Sequence, residues 1–138
     1  MIKEFAHLIE TLTTSAFVVG GNLQVGHRLP DSPIRCSVIL ETAGSALWGE
    51  LPESIDKAFQ ILSRGETYFT ARDDAWAIFE ALHGTAGWNL PLIYSGETWL
   101  ATAIDAISDP TYIGQDEKGY FEFSTNYIVR LQKDTCGP

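Results

Sequence analysis

Three kinds of side chain that could do chemistry are spread along this chain: histidines, cysteines and carboxylates. The histidines are His7, His27 and His83. None of them lies at the short helical or loop spacing from another His or Cys that a zinc site requires, so we predict no zinc site. His83 stands at the end of a predicted helix, where a histidine interacts favourably with the helix dipole, and a structural role is favoured.

The carboxylates form two groups whose residue types suit a metal ion. Asp73 and Asp74 are adjacent, but we place them in the first turn of a helix, where the helix dipole already explains two acidic residues. Asp109, Asp116 and Glu117 cluster near the end of the chain. Their spacing does not fit the EF-hand pattern, so we interpret this cluster as a solvated hairpin tip.

Candidate nucleophiles and phosphate-binding loops are equally weak. Cys36 falls in a predicted buried strand without the electropositive setting of a reactive thiolate, and we interpret Cys36 and Cys136 as free thiols in a reducing compartment. The glycines at Gly20-Gly21 and between Gly114 and Gly119 do not run into a helix that carries Lys and Ser or Thr. We therefore predict that the protein is not an enzyme and binds no cofactor.

Length and charge narrow the class of protein further. At 138 residues, with 45% apolar and 20% charged residues, the chain is predicted to be a single domain over 1–138, with a flexible tail over 132–138. The net charge of −9 argues against proteins that hold nucleic acid or anionic membranes. We find no apolar run of membrane-spanning length and no signal peptide.

Two amphipathic segments are predicted to form helices. The first covers residues 2–14, and its apolar face recurs at three- and four-residue spacing: Ile2, Phe5, Leu8, Ile9 and Leu12. The second runs from Ala71 to His83, with Thr70 as N-cap, Asp73 completing a capping-box-like pair and Gly84 at the C-terminal cap.

Strand signals fill the rest of the chain. We predict strands at 23–29, 34–41 and 57–65 before the second helix, and a further short strand near 89–93. The strongest pattern starts at Tyr120, where aromatic and β-branched residues alternate for ten residues, and the strand at 98–107 is expected to pair with it. The order helix, strand, strand, strand, helix, strand, strand predicts an α+β fold with a mainly antiparallel sheet and both helices on one face.

A long loop over residues 42–56 contains three large apolar residues, namely Leu47, Trp48 and Leu51. Loops of this length are often functional. The three side chains either fold back on the core or contact another protein chain, since aromatic residues are frequent anchors at interfaces.

Several segments resemble the tail-terminator and minor capsid proteins of long, non-contractile-tailed bacteriophages. They are the N-terminal helix, Arg28-Leu-Pro-Asp-Ser-Pro, a strand ending in Glu41-Thr-Ala-Gly, Phe59-Gln-Ile-Leu-Ser-Arg, Asp73-Asp-Ala-Trp-Ala-Ile-Phe-Glu-Ala-Leu-His-Gly, and the closing Asp109-Pro-Thr-Tyr-Ile-Gly-Gln-Asp-Glu-Lys-Gly-Tyr-Phe-Glu-Phe-Ser-Thr-Asn-Tyr. The resemblance extends from about residue 2 to residue 131. It brings no catalytic residues to this chain.

The resemblance implies a structural virion protein that forms a ring, expected to be a homohexamer, on the end of the tail tube. Such a ring ends tube polymerisation and offers a joining surface to the head-side connector or stopper protein. Its partners would be other copies of itself, the tail tube protein and that connector, with no membrane. It would be located in the virion tail or neck after assembly in the host bacterial cytoplasm. DNA would pass through without specific binding, because an acidic lumen repels phosphates.

The candidate interface residues are the three apolar residues of the long loop and four near the closing strand: Leu47, Trp48, Leu51, Tyr112, Gln115, Asp116 and Glu117. An alternative within the same class is another neck or tail-tube joining subunit. An alternative from a different class is a cytoplasmic small-ligand-binding α+β domain, whose pocket would be lined by Trp76, Trp88 and Trp99.

Overall fold

A computed structural model of the chain describes residues 2–13, 16–26, 34–42, 54–84, 88–91 and 98–133. These ranges contain two helices and seven strands: α1 (Ile2–Leu12), β1 (Leu23–Val25), β2 (Cys36–Thr42), β3 (Ser54–Gly65), α2 (Tyr68–Leu82), β4 (Trp88–Pro91), β5 (Thr98–Ala106), β6 (Thr111–Gln115) and β7 (Phe121–Lys133). The predicted α+β class is confirmed, and the predicted order of elements matches apart from the additional strand β6.

The seven strands form one sheet in which β7 is central. The strand order is β1-β2-β3-β7-β5-β4, and β6 also pairs with β7. Every pairing is antiparallel except that of β1 with β2. One side of β7 pairs with the whole of β3. The other side pairs with β5 through residues 127–133 of β7 and with β6 through residues 121–124 of β7. The predicted pairing of the 98–107 segment with the last strand is therefore confirmed.

Both helices pack on one face of this sheet. Phe5 of α1 stacks on Phe59 of β3 with ring centroids 4.5 Å apart, and Ile78 and Leu82 of α2 belong to the same buried cluster. The periodicity of α1 correctly predicted its buried face. Full burial of each such side chain stabilises the fold by roughly 1.5–3 kcal/mol before entropy is counted, and α1 depends on this docking to be stable.

The predicted start of the second helix is wrong by one turn. The N-cap is Thr67 rather than Thr70, and the Thr67 hydroxyl accepts a hydrogen bond from the Thr70 amide at 3.1 Å. The sequence favoured the later threonine because Tyr68 and Phe69 are weaker helix formers than the residues that follow. As a consequence, the capping-box pair between Thr70 and Asp73 does not form.

The earlier start also changes the interpretation of the adjacent carboxylates. Asp73 and Asp74 lie in the second turn of α2, and its first turn holds no acidic residue, so the helix-dipole explanation is wrong. The C-terminal prediction is better, since Gly84 has a φ of +76° directly after the C-cap His83. At the start of α2, a Cβ on Gly65 would lie 2.8 Å from the Ala71 amide nitrogen, so glycine permits the close approach of β3 and the helix.

The strand bounds differ from the prediction in several places, since β1 ends at Val25 and β2 runs from Cys36 to Thr42. The segment at 111–115 is a strand that was not predicted, because Gly114 (φ +122°) and a bulge after Tyr112 interrupt its alternation. The third strand starts at Ser54, inside the segment predicted to be a loop, and the last strand extends to Lys133. The short strand expected near residues 89–93 is β4. The rest of the predicted tail lies outside the described residues, as do positions 27–33.

Candidate functional site

The side chains suited to catalysis do not converge in the described part of the chain. No group of three or more His, Cys, Asp or Glu residues there could hold a metal ion. His83 Nδ1 accepts a hydrogen bond from the Ala106 amide at 3.0 Å, and its ring stacks on Phe79. This histidine therefore joins the end of α2 to β5 through a hydrogen bond and a ring contact, which is a structural role.

Cys36 is buried, as its predicted strand position implied. Desolvation raises the pKa of its thiol, and the nearby Arg64 offsets only part of this effect. The Arg64 guanidinium donates to the Cys36 sulfur at 3.6 Å. A thiol with a raised pKa and no access to solvent is a poor nucleophile.

Asp74 forms a bidentate ion pair with Arg35 across the fold. Arg35 Nε donates to Oδ2 at 2.9 Å and Nη2 donates to Oδ1 at 2.8 Å. The hydrogen bond and the charge of Asp74 raise the pKa of Arg35. Because Arg35 directly precedes β2, this pair ties the start of that strand to α2.

A cleft of about 530 Å³ lies beside this ion pair. Its lining consists of Ala16, Phe17, Asn22, Arg35, Asp73, Asp74 and Ala77. Two of its three charged groups, Arg35 and Asp74, are already bonded to each other, and Asp73 is exposed. Trp76 does not line it and instead packs on Phe79 at 5.1 Å with Arg72 above its ring. The side chains of Trp88 and Trp99 are not among the side chains that the structure describes. The cleft itself lends no support to the ligand-binding alternative.

The most distinctive surface feature is a group of five aromatic rings, here named the aromatic patch: Tyr68, Phe69, Tyr112, Phe121 and Phe123. The Tyr68 ring is at its centre, 5.4 Å from Phe69, 5.4 Å from Tyr112, 6.2 Å from Phe121 and 5.2 Å from Phe123. Edge-to-face contacts at these separations are favourable beyond the area they bury.

Three elements bring these rings together. Tyr68 and Phe69 begin α2, Tyr112 lies on β6, and Phe121 and Phe123 are the first aromatic residues of β7. Phe123 is buried against Ala71 and Ala75 of α2 and forms the buried side of the aromatic patch.

The outer rings of the aromatic patch stay in contact with solvent. Phe69 is 69% exposed, Tyr112 is 42% exposed and Tyr68 is 37% exposed. Single exposed apolar residues are normal, but a contiguous aromatic group of this kind is typical of a protein–protein contact.

Four carboxylates flank the elements that carry the aromatic patch, and we name them the acidic rim: Glu66, Asp109, Asp116 and Glu117. Asp109 and Asp116 lie just before and just after β6, and Asp116 Oδ1 accepts hydrogen bonds from the Lys118 and Tyr120 amides at 2.9 Å each. Burial raises the pKa of Glu122, and repulsion from Asp116 adds to the shift. Acidic residues therefore stand next to the start of α2 and at both ends of β6, the elements that carry the exposed rings.

The predicted interface residues are distributed unevenly over this surface. Tyr112 belongs to the aromatic patch, and Gln115, Asp116 and Glu117 follow it at the turn between β6 and β7, where Gln115 Nε2 donates to the Gly119 carbonyl at 3.0 Å. Leu47, Trp48 and Leu51 lie outside the described residues.

Of the five residues of the aromatic patch, Tyr112 alone was among the predicted interface residues. Phe121 and Phe123 were predicted as part of the last strand, and Tyr68 and Phe69 were not singled out at all. Their signal was a pair of adjacent aromatic residues directly before the predicted helix start. A helix start at Ala71 leaves this pair outside the helix and hides its position.

Membrane insertion by a helix finds no support in the ranges that the structure covers. None of the helices there combines the length and the apolar character needed to cross a bilayer.

Comparison with known proteins gives one family and one shared fold. The sequence profile described as bacteriophage tail terminator protein matches residues 10–133. A chain of the structure titled "Virion of native gene transfer agent (GTA) particle" superposes with a TM-score of 0.51 and 11% sequence identity, covering 90% of this chain and 84% of that chain. At this identity the likeness concerns the fold alone. No curated protein sequence matches.

Proposed function

This chain belongs to the bacteriophage tail terminator proteins, structural proteins of the virion tail, and from that premise we propose that it caps the tail tube as a ring. The observation that carries the proposal is the family match over residues 10–133, which spans every strand of the sheet and all of α2.

A ring of identical subunits explains how a small domain can end the growth of a polymer through surface contacts. In a closed ring each subunit presents one patch to the preceding copy and a different patch to the next. One outer face of the ring then matches the last layer of the tube, while the other offers a joining surface to a head-side connector. We propose six copies, which would make the protein a minor component of the particle.

The charge of the chain suits a ring through which DNA moves. Each subunit carries nine Lys and Arg against eighteen Asp and Glu, a net charge of −9. A negative lumen would repel the phosphates and allow the genome to slide, so we propose that DNA passes without specific binding. Tight co-sedimentation with duplex DNA at physiological salt would contradict this part of the proposal.

We retain Leu47, Trp48 and Leu51 as candidates for a contact between neighbouring copies. Replacement of Trp48 by Ala is then expected to abolish the ring, measured by native mass spectrometry, while the midpoint of urea unfolding stays unchanged. A large loss of stability with an intact ring would instead place Trp48 in the core.

The proposal is tested by adding the purified chain to a polymerising tail tube protein. We expect a hexamer by analytical ultracentrifugation, tubes that stop growing, and ring density at their ends in electron micrographs. A monomer that leaves the length distribution of the tubes unchanged would overturn it. Heat-denatured protein at the same concentration controls for nonspecific effects.

A further inference from the structure

We propose that the aromatic patch and the outer edge of β6 bind an extended, cationic segment of a different tail or neck protein, rather than a second copy of this chain. The inference rests on the proposed function only for the source of the segment, a virion protein. Its chemistry follows from the strand edge, the exposed rings and the distribution of charge.

The edge of β6 is available for strand pairing. This strand pairs with β7 along one side, and no other strand of the described chain pairs with it. Thr111, Tyr112, Ile113 and Gln115 are all exposed, and Ile113 is 51% so. An exposed edge next to apolar side chains is the arrangement by which a sheet accepts an added strand, with backbone hydrogen bonds for affinity and side-chain contacts for specificity.

The acidic rim determines the charge of the complementary segment. Carboxylates flank β6 at both ends, through Asp109 on one side and Asp116 and Glu117 on the other, with Lys118 as the cation in the same turn. Repulsion from Asp116 already contributes to the raised pKa of Glu122. An incoming strand that carries Lys or Arg would relieve this repulsion, whereas an acidic strand would increase it.

A second copy of this chain is a poor source of that positive charge. Among the described side chains, Arg35 is bonded to Asp74 at 2.8 Å, Lys57 to Glu41 at 3.0 Å and Arg130 to Asp56 at 3.1 Å. The guanidinium of Arg72 lies over Trp76, and that of Arg64 lies over Tyr120. Lys118 stands in the acidic turn itself, between β6 and β7 and beside Asp116 and Glu117.

Symmetric pairing of two β6 strands is disfavoured for the same reason. It would place one acidic rim against another, on chains that each carry a net charge of −9. Charge complementarity therefore selects a different protein, with apolar residues at alternate positions and Lys or Arg between them.

Two synthetic peptides test the inference on the full chain. The first is Lys-Val-Arg-Phe-Lys-Val-Arg and the second, its charge-reversed control, is Glu-Val-Asp-Phe-Glu-Val-Asp. Titrations are followed by backbone amide NMR at low and at high salt. We expect the cationic peptide to shift the amides of β6 and of Tyr68 and Phe69, and to bind at least about tenfold more weakly at high salt because exposed charges are screened. Binding of both peptides alike, of neither, or away from β6 would overturn the inference.

Matched variants connect the peptide site to assembly. Phe69→Ser removes an exposed ring without disturbing the core and is expected to weaken cationic peptide binding at least about tenfold. Glu117→Lys is expected to weaken it and to reduce its salt dependence. Val18→Ser is the control, since Val18 is an exposed apolar residue, 45% accessible, beside β1 at the opposite edge of the sheet.

The same variants separate this inference from the proposed function. We expect Phe69→Ser and Glu117→Lys to retain the ring mass in native mass spectrometry. Loss of the ring in both would assign the aromatic patch to contact between copies and refute the inference alone. If the unmodified chain neither forms rings nor alters tube growth, yet binds the cationic peptide at β6, the proposed function fails while the charge-selective site stands.

Discussion

The ion pair between Arg35 and Asp74 predicts an asymmetric effect on stability. The Asp74 side chain is only 10% exposed, whereas the Arg35 side chain is 62% exposed. Removal of either partner breaks the same two hydrogen bonds, of 2.9 and 2.8 Å. The residue left behind is nevertheless in a different environment in each case.

The Arg35→Ala variant leaves the less exposed partner unsatisfied. Asp74 has no other hydrogen-bond partner among the described residues, so its carboxylate would remain largely shielded from water. Breaking a fully buried pair by removing one partner costs about 3–5 kcal/mol. Because Arg35 is largely in solvent, we discount this cost to about 2 kcal/mol.

The Asp74→Ala variant leaves the exposed partner. The Arg35 guanidinium can return to water, and alanine is a better helix former than aspartate at this position in α2. We therefore expect a loss of about 0.5–1 kcal/mol. The double variant should resemble Asp74→Ala and be more stable than Arg35→Ala alone, because no unpartnered carboxylate remains.

Urea unfolding at pH 7, followed by far-ultraviolet circular dichroism, measures all four proteins. The reasoning is refuted if Asp74→Ala costs as much as Arg35→Ala, or if the double variant is the least stable of the set. Lys57→Ala is a suitable control, since its ion pair with Glu41 is exposed on both sides and should contribute at most about 1 kcal/mol.

Three further predictions concern single buried groups. The Tyr127 hydroxyl is buried, and its contact with the Thr125 side chain falls short of good hydrogen-bond geometry. Tyr127→Phe should therefore raise the free energy of unfolding by up to about 1 kcal/mol in urea titrations, whereas a clear loss would show that the contact with Thr125 is a stabilising hydrogen bond. Burial and Asp116 raise the pKa of Glu122 in the folded state, so its charge opposes folding above that pKa. Glu122→Gln should therefore raise the melting temperature at pH 7, with the gain vanishing below about pH 4, where the unfolded state is also protonated; a gain that persists at pH 3.5 would contradict this. Burial raises the pKa of Cys36, so iodoacetamide should modify this thiol only after unfolding. Peptide mass spectrometry measures the labelling, and rapid modification of the native protein would contradict the prediction.

The buried faces of two elements were predictable because their patterns are local. The three- and four-residue spacing of Phe5 and Ile9 selects one side of a helix, and both residues are fully buried. The two-residue alternation of Phe123, Tyr127 and Val129 selects one side of a strand, and these are buried too. The α+β class follows from the order of such elements. The resemblance that indicated a tail terminator depended on the same segments.

The surface features depended on contacts between distant parts of the chain. Tyr68 meets Tyr112 because β7 pairs with β3 on one side and with β6 on the other. That double register is not visible in either strand by itself, since Gly114 and the adjacent bulge hide the alternation of β6.

The Arg35 and Asp74 pair shows the same division between local and distant information. The sequence placed Asp74 on a helix, and a local rule offered the helix dipole as the reason for its charge. Only the packing of α2 beside the start of β2 supplied its actual partner. Local periodicity determined which residues enter the core, whereas the tertiary structure decided which surface rings and charges lie together, because each of those contacts joins elements that no short pattern relates.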